Sequence, residues 1–469
     1  MGELSHRAGS RGWVQPRVCA VRRSSSRVRP AAAGVRPAPP GCYDARMPSA
    51  YTSELAGELA GDVLDRFLRY ARIDTQSVRD RTGSPSTPGQ LDLLRLLVAE
   101  LREIGLEDAA IDDNGYVYAT LPATNGSPHA VGLIAHVDVS PDAPGAGVEP
   151  IVHRDYDGAR VELPRGGTVL DPSDMPVLAG KVGHDVVTSS GDTLLGADDK
   201  AGVAEIMAAV AYLAAHPELP RATMKVGFTP DEEIGEGATL FDVERFGAAC
   251  AYTLDGSQPG EIQDETFSGT EVAVIYEGVD IHPGWATGKL VNAVRLAGRL
   301  LARLPADRLT PETTQEREGF IHPYVISGDA GRAEVRFIAR DFDDALLAEH
   351  ITLIRRVAEE VAAEEPRSRV TVLERPQYPN MRRFVDGFPQ VVDVAERAIR
   401  AEGIEPIKEP IRGGTDGSIL SARGLPTPNL FTGGHEYHSV REWASVHDMA
   451  SAAAVVVRLA GLWAEEPPA

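Results

Sequence analysis

Residues 130–140 read AVGLIAHVDVS. The run from Ala130 to Ala135 carries no charge and lacks the apolar–polar alternation of a half-exposed strand, so it predicts a strand covered on both faces. Such strands belong to parallel sheets, whose neighbours are joined by crossover helices. The flanking sequence supplies both. DVLDRFLRYARID from Asp62 and QLDLLRLLVAELREIG from Gln90 place apolar residues at helical spacing, the second stopped by Gly105. VYATLPA is a strand, an alanine-rich helix runs from about Lys200 to His216, and the apolar strands ATMKVGFTP and ACAYTLDG follow. This alternation predicts an α/β fold, a mostly parallel sheet covered by helices.

Beyond Gln263 the texture changes. TEVAVIYEG alternates like a half-exposed strand, NAVRLAGRLLARL is helical, and YVISGDAGRAEVRFIARDF reads as a hairpin turning at Gly328 to Gly331. A long helix, DALLAEHITLIRRVAEEVAAEE, then precedes the strand VTVLERP. Strand, helix, two strands, helix, strand is the ferredoxin-like order, so residues 264–377 are expected to form a smaller inserted α+β domain. It would divide a first domain into 47–263 and 378–469, whose second part carries the helix PQVVDVAERAIRAEG, the strand PTPNLFTGG and a closing helix from about Asp448.

Composition narrows the function. A net charge of −22 argues against nucleic acid, which requires clustered Lys and Arg. No apolar stretch is expected to reach the roughly 18–20 residues that span a bilayer, so no membrane partner is expected. Residues 1–46 hold nine arginines against Glu3 and Asp44 and no hydrophobic segment, so their net +7 leaves −29 on the rest. They are not a secretory signal; with Met47 standing just before the first amphipathic segment, a misassigned start is preferred over an organellar transit peptide. Cys19 and Cys42 lie in this extension and only Cys250 in the body, which fits a reducing, cytoplasmic compartment.

Ligands of open α/β sheets bind beyond the carboxyl ends of the strands. Those ends carry His136 and Asp138, Glu232 and Glu233, Asp255, and His435 and His438; the Asp198–Asp199 pair of TLLGADDKAG precedes a helix. Any one of these alone is more often structural than functional. Converging carboxylates repel one another unless a cation lies among them, and mixed His, Asp and Glu donors suit zinc, with manganese or cobalt as alternatives. More than four candidates suggests two metals roughly 3.5–4 Å apart sharing one carboxylate.

AHVDVSPD, TLLGADDKAG, FTPDEEIGEGA, AYTLDG, IHPGWATGKLVNA, PIRGGTDG and GLPTPNLFTGG, in collinear order from about Leu64 to Leu462, closely resemble the peptidase T branch of the co-catalytic di-zinc metallopeptidases. The resemblance implies a tripeptide aminopeptidase with two zinc ions per subunit, ligated by His136, Asp198, Glu233, Asp255 and His438, with Asp198 as the bridge. It makes Glu232 the general base and Asp138 the partner that orients His136. A histidine of the inserted domain in this family reaches across a homodimer interface to the oxyanion, and His282 matches it. Asn292, Arg340 and Arg412 match positions that bind the substrate backbone or its terminal carboxylate, a task suited to arginine's planar fork. The inserted domain is thus expected to serve as lid and dimerisation domain, and the Asp198–Asp199 peptide to be cis.

The chain departs from the family at His435, where an aromatic residue is usual, at Ser439, where glycine is usual, and at Trp285, which is bulkier than expected. His435 is therefore a second candidate beside His438, whose place in the motif is favoured. The alternative functions are a dipeptidase or N-acyl-amino-acid amidohydrolase of the same superfamily, or a non-catalytic metal- or peptide-binding relative; the presence of Glu232 beside a ligand speaks against the last.

Overall fold

The computed structural model describes residues 51–124 and 126–467; the Arg-rich extension 1–46 lies outside them. Ala130–His136 sits inside an eight-stranded sheet, between Thr223–Thr229 and Cys250–Gly256 and parallel to both. Asn429–Phe431 adds a fourth parallel strand beside Cys250–Gly256, while Val117–Leu121 and Glu261–Gln263 join antiparallel farther out. The mostly parallel expectation therefore describes the centre, and the edges are mixed.

Both faces of the quoted strand are buried. Val131, Leu133 and Ala135 point into the main core, shared with the helices Glu54–Ala71, Ala197–Ala215 and Val446–Glu465, which pack on one another. Ile134 points the other way, among Phe241, Phe246 and Leu420. Gly132 is needed here because a Cβ would lie 2.5 Å from the Phe246 ring and 2.6 Å from Ala251 Cβ.

The first helix begins at Glu54, capped by the Ser53 hydroxyl, eight residues before the expected start. Its early stretch ELAGELAG contains two glycines, which weaken the apolar signal. The second spans Pro88–Ile104, with proline in its first turn and Gly105 at φ 108° closing it. Val446–Glu465 corrects one expectation: it is long and apolar enough to cross a membrane, but most of it is buried within the protein, where it is a core helix.

Residues 268–378 form the separate four-stranded antiparallel sheet Phe320–Gly328, Arg332–Asp341, Ser268–Glu277, Arg369–Tyr378. The helices Ala293–Arg303 and Asp344–Ala363 share a core of their own with it. This is the ferredoxin-like order. Sequence periodicity gave no warning of a further small sheet, Gly434–His435, Trp443–Ser445, Val186–Thr188 and Ile151–His153, whose strands are only two or three residues long.

Candidate di-metal centre

Parallel strands that end level deliver their trailing residues to one edge, and His136 ends its strand paired with Thr229. Just past Thr229, Asp231 takes the left-handed φ of 61°, and its carboxylate is held by the Ser86 amide and the Gln90 side chain. The chain thereby turns into a short 3-10 segment that presents Glu232 and Glu233. Asp255 stands near the end of Cys250–Gly256. Asp198 precedes the regular part of its helix, with the non-helical ψ of 104° and a cis peptide bond to Asp199, as the resemblance implies. His438 is brought in by a loop in which it and Glu436 are both left-handed, at φ 59° and 58°.

Asp198 lies at the junction. Its Oδ1 is 3.0 Å from His136 Nε2, which is also 3.7 Å from Asp255. Its Oδ2 is 3.3 Å from His438 Nε2, which is 2.8 Å from Glu233. Two ligand groups result, His136–Asp198–Asp255 and Asp198–Glu233–His438, each with its donor atoms within 4.8 Å of one another. Glu233 Oε1 is buried without a hydrogen-bond partner among the described residues. Clustered carboxylates, two imidazole nitrogens and an unpartnered buried oxygen are a donor set that fits a pair of divalent cations.

The electrostatics say the same. Burial, reinforced by the charge of Asp198, pushes Glu233 up to about 8 and Asp255 up to about 6. Burial also pushes Glu232 well above its ordinary value. Burial works in the same direction on Asp198, but hydrogen bonds with His136 and His438 outweigh it and hold the carboxyl below its usual range. Negative charge is crowded in this pocket.

Asp138, fully buried, is occupied elsewhere. Its carboxylate lies 3.4 Å from His136 Nδ1 and accepts the backbone N–H groups of Glu232 at 2.9 Å and Glu233 at 3.2 Å. One side chain thus orients an imidazole and fixes the backbone of both glutamates. His435 stays out of both groups: its ring lies tilted against Trp443 with centroids 4.3 Å apart and bonds to the Ser257 hydroxyl, and burial pushes it down to about 3.

The four residues assigned to substrate divide. Arg340 and Arg412 are brought together, the Arg340 guanidinium reaching the Arg412 carbonyl at 3.5 Å and lying 5.9 Å from the Tyr378 ring centre. Arg412 turns its donors to its own chain, to Thr314 O and Oγ1 and Glu318 O at 2.8–2.9 Å. Asn292 spends its side-chain oxygen on capping Ala293–Arg303. His282 is exposed, accepts the Gly284 amide, lies beside the 68% exposed Trp285 and touches none of the cluster.

Sequence reading missed three polar groups here. Asp416 is buried, bonds Thr229 at 2.7 Å and is pushed up to about 7 by burial. The Tyr378 hydroxyl is buried without a partner among the described residues. Glu442 is 1% exposed and holds the loop that carries Asp198. Asp416 was visible within PIRGGTDG; no local signal marks the other two.

The model of the family described as Peptidase family M20/M25/M40 matches residues 194–461. The chain is 46% identical over 405 residues to a Shouchella clausii protein named Peptidase T, covering 86% of this chain and 98% of that one. It is 45% identical over 401 residues to the Peptidase T of Bacillus subtilis, covering 85% and 98%. Among solved structures, the aminopeptidase PepT of Bacillus cereus superposes with a TM-score of 0.67 at 24% identity, covering 87% of this chain and 99% of that one.

Proposed function

The chain belongs to peptidase family M20/M25/M40, and from that premise we propose that it is a tripeptide aminopeptidase, hydrolysing the bond after the first residue of its substrate. The carrying observation is Asp198, one oxygen directed to each of two ligand groups, with Glu232 anchored beside them. Two divalent cations, zinc by the chemistry of the donors, would be held by His136, Asp198, Asp255, Glu233 and His438 and would supply a Lewis acid for the scissile carbonyl and a lowered pKa for water.

The chain's own residues do the rest. Glu232 takes the proton of the attacking water and delivers it to the leaving amine. Asp138 keeps Glu232 and His136 in register. Arg340, whose Nε has no partner among the described residues, receives the terminal carboxylate of a short peptide.

Residues 264–377 serve as lid and dimerisation domain of a homodimer. The edge strand Phe320–Gly328 exposes Tyr324, Val325 and Ile326, and the exposed His282 is free to complete a partner's site. A cytoplasmic location fits Cys250, the only cysteine of the body, buried and unpaired among the described residues.

A panel of di-, tri- and tetrapeptides with free and acetylated N-termini tests the activity. Preferential cleavage of free tripeptides supports it; faster turnover of acetylated peptides or dipeptides, or no turnover with metals bound, overturns it.

A further inference from the structure

We propose that Glu442 is a positioning residue that locks Asp198 and His438 into ligand geometry before any metal arrives. The inference rests on the two-metal reading of the site. The loop before the helix Ala197–Ala215 cannot satisfy its own amides: Gly196 is left-handed at φ 79° and Asp198 is non-helical. Glu442 supplies the acceptors. One oxygen takes the N–H of Leu195 at 2.7 Å and of Gly196 at 2.8 Å, and the other takes the N–H of Asp198 at 3.0 Å.

Such a carboxylate needs a buried countercharge. The charge of Glu442 acts on Lys200, fully buried, whose ammonium donates to the Ile73 carbonyl at 2.8 Å and lies 3.5 Å from where a Cβ on Gly196 would sit.

The other end of the clamp is equally fixed. Glu442 directly precedes the strand Trp443–Ser445, which pairs with Val186–Thr188, and stands four residues after His438. A single side chain thus ties the segment that presents His438 to the loop that presents Asp198. These are two of the three donors in the Asp198–Glu233–His438 group. Charge-assisted bonds to three amides hold a backbone far more rigidly than one neutral contact would.

The test compares full-length wild type with Glu442→Gln, whose amide accepts through only one oxygen and carries no charge. Apo-protein thermal midpoints, zinc dissociation constants by chelator competition, the visible spectrum of the cobalt form, and kcat and KM on a tripeptide are measured. The expected result is a loss of about 10–100-fold in affinity for one of the two ions, an altered cobalt spectrum, a lower kcat and a KM within about threefold. Wild-type dissociation constants and spectrum in the variant overturn the proposal, even with a lowered apo midpoint.

Should the variant not fold, hydrogen exchange on the metal-free wild type decides. Slow exchange across residues 193–199 supports a clamp formed in advance, and fast exchange there overturns it. A wild type that binds fewer than two ions defeats the two-metal reading itself, an outcome distinct from both.

Discussion

Asp138 Oδ1 accepts the backbone N–H of Glu232 at 2.9 Å, so Glu232 is positioned through its backbone by a residue 94 positions earlier that also faces the His136 imidazole. Removing that carboxylate leaves two amides without their acceptor and takes a negative charge from beside the His136 ring, whose Nδ1 keeps only the Asp138 carbonyl at 3.1 Å. Asp138→Ala is expected to lower metal affinity about 10–100-fold and kcat by at least as much. Isothermal titration of the metal-free protein and steady-state kinetics check it; unchanged affinity with lost activity would assign Asp138 to the chemistry rather than to His136.

Glu232→Gln keeps the size of the side chain and removes its basicity. Turnover is expected to fall about 10²–10⁴-fold, the span of general acid–base catalysis, while about two metals stay bound. Elemental analysis of the sample used for kinetics separates this from loss of the centre, and substantial residual turnover removes Glu232 from the role.

His435 and His438 are expected to separate cleanly. His438 is 2.8 Å from Glu233, whereas His435 bonds Ser257 and packs on Trp443. His438→Ala should cost one metal and nearly all activity. His435→Phe, which keeps a ring against Trp443, should keep both metals; a lost metal in this variant would show that His435 is a ligand.

Glu205 is fully buried in the helix Ala197–Ala215 and neither of its oxygens has a partner among the described residues. Burial, reinforced by the charge of Asp448, raises its pKa well above the ordinary 4.5. The native state therefore retains a proton that the unfolded chain releases, so the stability linked to this group is full below about 4.5 and is lost as pH rises toward the folded value. Glu205→Met is expected to be more stable than wild type by about 1–3 kcal/mol at pH 8 and by less at pH 5. Urea unfolding of both proteins at the two pH values checks the difference; a gain that does not grow with pH refutes the assignment.

The fold was legible where burial is two-sided or periodic. AVGLIA announced a central strand because side chains on both of its faces had to be apolar, and the ferredoxin-like order of 268–378 followed from long elements with clear periods. The small sheet containing Val186–Thr188 stayed hidden, since three residues cannot display a period.

The candidate ligands were legible because each follows a strand or opens a helix. Glu442 was not: its role depends on amides some 244–247 positions away, and nothing in HSVREW encodes that separation. Arg412 shows the converse limit, for its motif suggested substrate, whereas its guanidinium is held by Thr314 and Glu318.

The central claim is that Asp198 bridges two metal ions. Anomalous diffraction at the zinc edge from crystals of the zinc-loaded protein tests it directly. Two peaks roughly 3.5–4 Å apart, one beside each oxygen of Asp198, with His136 and Asp255 around the first and Glu233 and His438 around the second, are the expected result. A single peak, or two peaks that do not share Asp198, would contradict it.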